Sequence, residues 1–144
     1  MTRLVPDLEA RFLRREVRVE TRRFIKPEVI VERPSGPYTD DDVEEREGPV
    51  ECIPEVATLA EADGVWFLCP KCFAANGGNV GTHGVLCWFV GKVLDDVDPK
   101  PGRWTPTGTS LHDLTFVPSE GRTPSVALLG ACGWHGYVNA GDAA

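Results

Sequence analysis

Two patterns of apolar and polar positions follow one another along this 144-residue chain. From Glu16 the period is two: Val17, Val19 and Thr21 alternate with Arg18, Glu20 and Arg22, as in a half-exposed strand. Val29-Ile30-Val31, after Lys26-Pro27, suggests a second strand, so that the two would form a ribbon. Ahead of them Pro6 and Asp7 could open a short helix through Leu8, Phe12 and Leu13. The later pattern is one of brief apolar runs, Val65-Trp66-Phe67-Leu68, Val85-Leu86-Cys87-Trp88-Phe89-Val90, residues 114–117 and residues 126–129, each bounded by Gly, Pro, Asn or Asp. Short runs between turn formers, with no long helical period, predict a mainly β, small β-rich domain. Asp63-Gly64 supplies a tight turn ahead of the first run, and residues 57–62 offer one helical turn.

Between the two patterns lie Pro34-Ser35-Gly36-Pro37 and the acidic residues 40–47. Turn formers and like charges cannot bury enough apolar surface to fold alone. The expected organisation is therefore an extended N-terminal arm over 1–35, an acidic linker over 36–56 and a β-rich domain over 57–144.

Charge sharpens that division. The net −7 resolves into +3 over residues 1–35, −9 over 36–64 and −1 over 65–144. The sequence holds no run of about 18 apolar residues and no apolar stretch near its first residues, so neither a membrane span nor a secretory signal is expected. In the reducing cytosol that this implies, five cysteines argue against a disulfide framework and for metal ligation.

The chemistry concentrates in two short motifs. Cys69-Pro70-Lys71-Cys72 has the two-residue gap that lets paired thiolates approach one ion from a tight turn, with turn amides donating to the sulfurs. Cys132-Gly133-Trp134-His135-Gly136 repeats the gap, with glycines where a knuckle needs a permissive backbone. Together they predict one structural zinc ion held by Cys69, Cys72, Cys132 and His135. Four protein donors would leave no open position for water or substrate. The intervening residues 73–131 are too many for an ordinary zinc ribbon, so the metal would clip the two ends of a domain together.

Other candidates carry less. His83 lies in Asn79-Val80-Gly81-Thr82-His83-Gly84, a Gly-rich segment without the Lys-Ser/Thr ending of a phosphate loop; it reads as a loop histidine, with a substitute ligand or catalytic base as the alternative. His112 beside Asp113 offers an imidazole–carboxylate pair, although adjacent residues rarely face each other. Asp95, Asp96 and Asp98 lack the spacing of an EF-hand and read as a solvated loop. Cys87 reads as core and Cys52 as a free thiol. Trp66, Trp88, Trp104 and Trp134 read as anchors of the core and the knuckle rather than a stacking platform, because few basic residues accompany them.

Residues from about 57 to 142 resemble an uncharacterised family of small proteins encoded by phages and prophages. The matching stretches are residues 62–73, Gly81-Thr82-His83, Gly102-Arg103-Trp104, Gly108-Thr109, residues 111–115 and residues 132–138. The resemblance implies a phage context and the same ligand quartet, without implying a reaction; residues 1–50 fall outside it. The expected function is a non-enzymatic phage protein, a zinc-stabilised interaction domain whose arm docks on a larger assembly, with a minor virion component as the concrete form. Its partners would be other phage structural proteins or a second copy met through the arm, in the cytoplasm of the infected host or in the virion. The alternatives are a zinc-dependent hydrolase using His83, His112 or the Asp95 to Asp98 loop, and a nucleic-acid-binding accessory protein. No Ser/His/Asp order or metalloprotease motif supports the first, and six acids among the nine bases of residues 1–35 weigh against the second.

Overall fold

The computed structural model describes residues 2–144. It is mainly β, with 38% of residues in strands and 13% in helices, as the short apolar runs predict. In chain order the strands are β1 (Thr2–Arg3), β2 (Arg11–Leu13), β3 (Glu16–Ile25), β4 (Val43–Cys52), β5 (Glu55–Val56), β6 (Gly64–Leu68), β7 (Gly84–Trp88), β8 (Thr105–Thr107), β9 (Thr115–Val117), β10 (Val126–Ala127), β11 (His135–Gly136), β12 (Val138–Asn139) and β13 (Asp142–Ala143). Two short helices, α1 (Pro27–Glu32) and α2 (Pro70–Asn76), complete the regular structure with two 3-10 turns. The chain forms two units: Glu16–Cys52, and Ile53–Ala144 together with the segment that precedes Glu16.

The larger unit is built on an antiparallel sheet in the order β5-β2-β6-β7. Its best-formed strands are the two richest apolar runs. Val65 and Phe67 of β6, and Cys87 and Trp88 of β7, are wholly buried, and the two strands pair from Gly64↔Trp88 to Leu68↔Gly84. Around them three small ladders form, β1-β13-β12, β8-β9 and β10-β11.

The segment before Glu16 is not an arm. Strand β2 lies inside the main sheet, with Phe12 opposite both Val56 and Val65, and Leu4 and Leu8 are fully buried in the same core. The helix expected from Pro6 does not form. The chain instead turns back so that the Leu8 N–H donates to the Arg3 carbonyl at 3.1 Å, and Glu9 takes a positive φ of 52°, which ends any helical run.

In the smaller unit β3 and β4 pair without a break from Glu16↔Cys52 to Ile25↔Val43. The acidic stretch expected as a linker is thus largely a strand. Its like charges are tolerable because the facing strand carries Arg18, Arg22 and Arg23, with Arg23 directly opposite Glu45. Arg46 adds an ion pair to Glu44 at 2.8 Å and lies 4.7 Å over the Phe24 ring. The second strand expected at Val29 to Val31 is helix α1, opened by Pro27, whose fixed φ suits a first helical turn.

Beyond α1, polar contacts close the connection between the strands. Arg33 pairs with Asp42 at 2.8 Å, the Thr39 N–H donates to the other Asp42 oxygen at 2.8 Å, and the Tyr38 hydroxyl donates to the Arg33 carbonyl at 2.7 Å. The Thr39 N–H, and after it Arg33, hold the Asp42 carboxyl below its ordinary value against the opposing effect of burial.

Candidate metal centre

Three elements converge at one end of the main sheet. Cys69 follows β6 directly and precedes Pro70 at the start of α2; Cys72 lies in the first turn of that helix. His83 immediately precedes β7, and its carbonyl accepts the Cys69 N–H at 2.9 Å. The β6–β7 ladder therefore continues one step past Leu68↔Gly84 and sets residue 69 beside residue 83. Cys132 comes from the loop after β10. Its thiol lies 3.5 Å from that of Cys69 and 3.4 Å from His83 Nε2.

All four ligand atoms, the thiols of Cys69, Cys72 and Cys132 and one ring nitrogen of His83, lie within 4.8 Å of one another. A tetrahedral ion with ordinary metal–sulfur and metal–nitrogen bonds places two sulfurs about 3.8 Å apart and a sulfur and nitrogen about 3.6 Å apart. The observed separations of 3.5 and 3.4 Å fit such a site with small outward movement.

Both knuckles have the amide geometry that orients thiolates. The backbone N–H groups of Lys71 and Cys72 donate to the Cys69 sulfur, and that of Trp134 donates to the Cys132 sulfur. Gly133 takes a φ of +79°, a conformation that L side chains rarely adopt. Lys71 Nζ donates to the Cys132 carbonyl at 2.8 Å and ties the second knuckle to the first. Without a metal the two thiols titrate apart: burial pushes Cys69 up to about 11, while the Trp134 amide and His83 bring Cys132 down to about 6. His83 Nδ1 lies 3.2 Å from the Gly84 carbonyl. A carbonyl only accepts, so the tautomer with its proton on Nδ1 satisfies this contact and frees the Nε2 lone pair for a metal, whereas the one with its proton on Nε2 donates to the Cys132 thiolate.

His135, expected as the fourth ligand, is not in this group. The residue it follows, Trp134, is buried and meets Phe67 edge-on at 6.0 Å. In extended backbone adjacent side chains point to opposite faces, so burying Trp134 directs the exposed His135 away, beside Tyr137 at 6.2 Å. The signal that could have singled out His83 was the hairpin register: pairing residues 64–68 with 84–88 leaves residues 69 and 83 opposite each other.

The lesser candidates have other roles. Asp113 does not face its neighbour His112; its carboxylate accepts the N–H groups of Thr109 and Ser110 at 2.9 and 2.8 Å and the Thr109 hydroxyl at 2.8 Å, which lower its pKa. The loop of Asp95, Asp96 and Asp98 is organised by Arg103, a role that its sequence context does not signal. This buried guanidinium donates to the carbonyls of Val93, Leu94, Val97, Pro99 and Gly102, and Asp95 pairs with Arg122 at 3.3 Å. Cys87 is fully buried, which raises its pKa; Cys52 is half-buried in β4. Trp88 and Trp104 donate to the carbonyls of Asp98 and Ser125, each at 3.0 Å, and Arg11 lies 5.1 Å over Trp66.

No family model, curated protein or solved structure matches this chain.

Proposed function

We propose that Cys69, Cys72, Cys132 and His83 hold one structural zinc ion, and that the protein is a non-enzymatic phage component whose β3–β4 ribbon docks on a larger assembly. The observation that carries the metal reading is the convergence of four ligand atoms within 4.8 Å under donating knuckle amides. Three thiolates and one imidazole suit zinc among the common ions. Four protein donors leave no open coordination position, which favours a structural ion over a hydrolytic one. The phage setting is supported by the resemblance of residues 57–142, and docking by a long ribbon whose β3 is exposed along nearly all its length.

Elemental analysis of the purified chain tests the first part. One zinc per chain is expected in the wild type and in His135→Ala, with zinc lost in Cys69→Ser and bound more weakly in His83→Ala. Zinc that survives Cys69→Ser overturns the site, and loss with His135→Ala but not His83→Ala exchanges the fourth ligand. The second part predicts that the chain co-purifies with assembled particles or associates stably with their structural proteins; absence of both overturns it.

A further inference from the structure

The two edges of the β3–β4 ribbon differ. Pro49 stands opposite Val19 and has no N–H, so this pair cannot exchange the two hydrogen bonds of a bonded pair. The N–H and C=O of Val19 therefore point away from β4, and by the alternation of an antiparallel ladder so do those of Val17 and Thr21. The outer edge of β4 lacks a donor at Pro49 and carries Glu45, Glu47 and Glu51 on the same alternation. Proline and charge are the devices that keep an edge strand from pairing. Strand β3 has no proline in ten residues and is exposed from Val17 to Phe24.

We propose that the outer edge of β3 pairs antiparallel with the same edge of a second copy of this chain, about a two-fold axis at Val19. Residues 16–22 read Glu-Val-Arg-Val-Glu-Thr-Arg, a charge pattern that is complementary to its own reverse. With Val19 opposite Val19, Glu16 meets Arg22, Arg18 meets Glu20 and Val17 meets Thr21, each twice by symmetry. Val17, Val19 and Thr21 then occupy the hydrogen-bonded positions. The charged residues occupy the non-bonded positions, where Cα atoms approach to about 4.5 Å and cross-strand pairs are closest.

Neighbouring registers are worse. An axis at Arg18 sets Arg18 against itself and Glu16 against Glu20; one at Glu20 sets Glu20 against itself and Arg18 against Arg22. An axis at Thr21 pairs Glu20 with Arg22 within β3 but sets Arg18 against Phe24. The chosen register makes a four-stranded sheet, β4-β3-β3-β4, from two ribbons that are each only marginal alone. It also joins Val17 and Val19 of both copies, 56% and 72% exposed in one, into a single apolar patch.

This inference rests on reading the ribbon as a docking element and names its partner. Sedimentation of the full zinc-loaded chain tests it. The wild type is expected to dimerise in the micromolar range, and Arg18→Glu or Glu20→Arg alone to weaken the dimer on the order of tenfold by placing like charges opposite each other. The double variant should recover, and so should an equimolar mixture of the two single variants, because each supplies the charges the other lacks. Val19→Pro should abolish the dimer while leaving the circular dichroism of the ribbon unchanged, since the lost N–H points outward. A monomeric wild type at these concentrations, single variants that dimerise as the wild type does, or a mixture that fails to recover overturns the proposal. Zinc measured on the same samples separates the outcomes: a zinc-loaded monomer that still joins particles, and loses them with Val19→Pro, refutes self-pairing and leaves docking and the metal intact.

Discussion

Each of the two units is stabilised internally by different physics. Of the buried apolar side chains among the described residues, Val29 alone belongs to the smaller unit and the others fall in the larger one. The larger unit has a core, yet most of its strands are only two or three residues long, and such ladders hold few hydrogen bonds each. A metal at the proposed site would join the end of β6, the start of β7 and the loop at Cys132, and so fix what those ladders cannot. The ribbon has the reverse composition: one unbroken ladder of ten pairs, cross-strand charges, and a polar closure at Arg33, Thr39 and Asp42. A long ladder tolerates solvent on both faces, whereas a patchwork of short ones needs a core and a cross-link.

That contrast is broken most severely at the metal. Chelation, or Cys132→Ser, should release the ion and lower the thermal stability of the larger unit by on the order of several kcal/mol. Amide exchange should then rise throughout β6 and β7 and less in β3 and β4. Next in size, Phe67→Ala removes a fully buried ring packed on Trp134 and should cost about 3–5 kcal/mol in denaturant unfolding. The matching change in the ribbon, Phe24→Ala, removes a 42% exposed ring under Arg46 and should cost less than about 1 kcal/mol. Equal losses at the two rings would erase the distinction between the units.

Arg103→Ala should fall between these two. It leaves buried carbonyls of the 93–102 loop without their donor, worth about 1–3 kcal/mol, and Arg103→Lys should not restore it because an ammonium lacks the planar fork. Proton exchange and fluorescence at the Trp88–Asp98 contact report the loss. The smallest effect is at Asp42. Its folded pKa is depressed, so the stability it lends is complete above the unfolded value near 3.9 and disappears as pH falls through the folded one. The Thr39 amide resonance should follow that titration in acid, while Asp42→Asn should remove the dependence.

Legibility in the sequence followed the length of each signal. The runs at 65–68 and 85–88 were readable because several apolar residues in succession demand burial, and the Cys-x-x-Cys motif because its gap has few other uses. The two- and three-residue strands carry too few positions for any period; at β2 the i, i+4 spacing of Leu8 and Phe12 imitates one turn of a helix. Strand β4 was hidden for another reason. Four glutamates read as solvated until their partners on β3 are known, and pairing is a property of two segments. The choice between His83 and His135 turned on the face to which Trp134 points, which the motif alone does not encode.

The wide separation of the ligands along the chain also orders events during synthesis. Cys132 is made 49 residues after His83, so at a translation rate of about 5–20 residues per second the growing chain carries two cysteines and a histidine for about 2–10 s before the fourth donor exists. Over that interval the ribbon, complete by residue 52, has all of its partners already. The nascent chain would thus expose the β3 edge before a metal could lock the larger unit, and neighbouring ribosomes on one message would bring such edges together early.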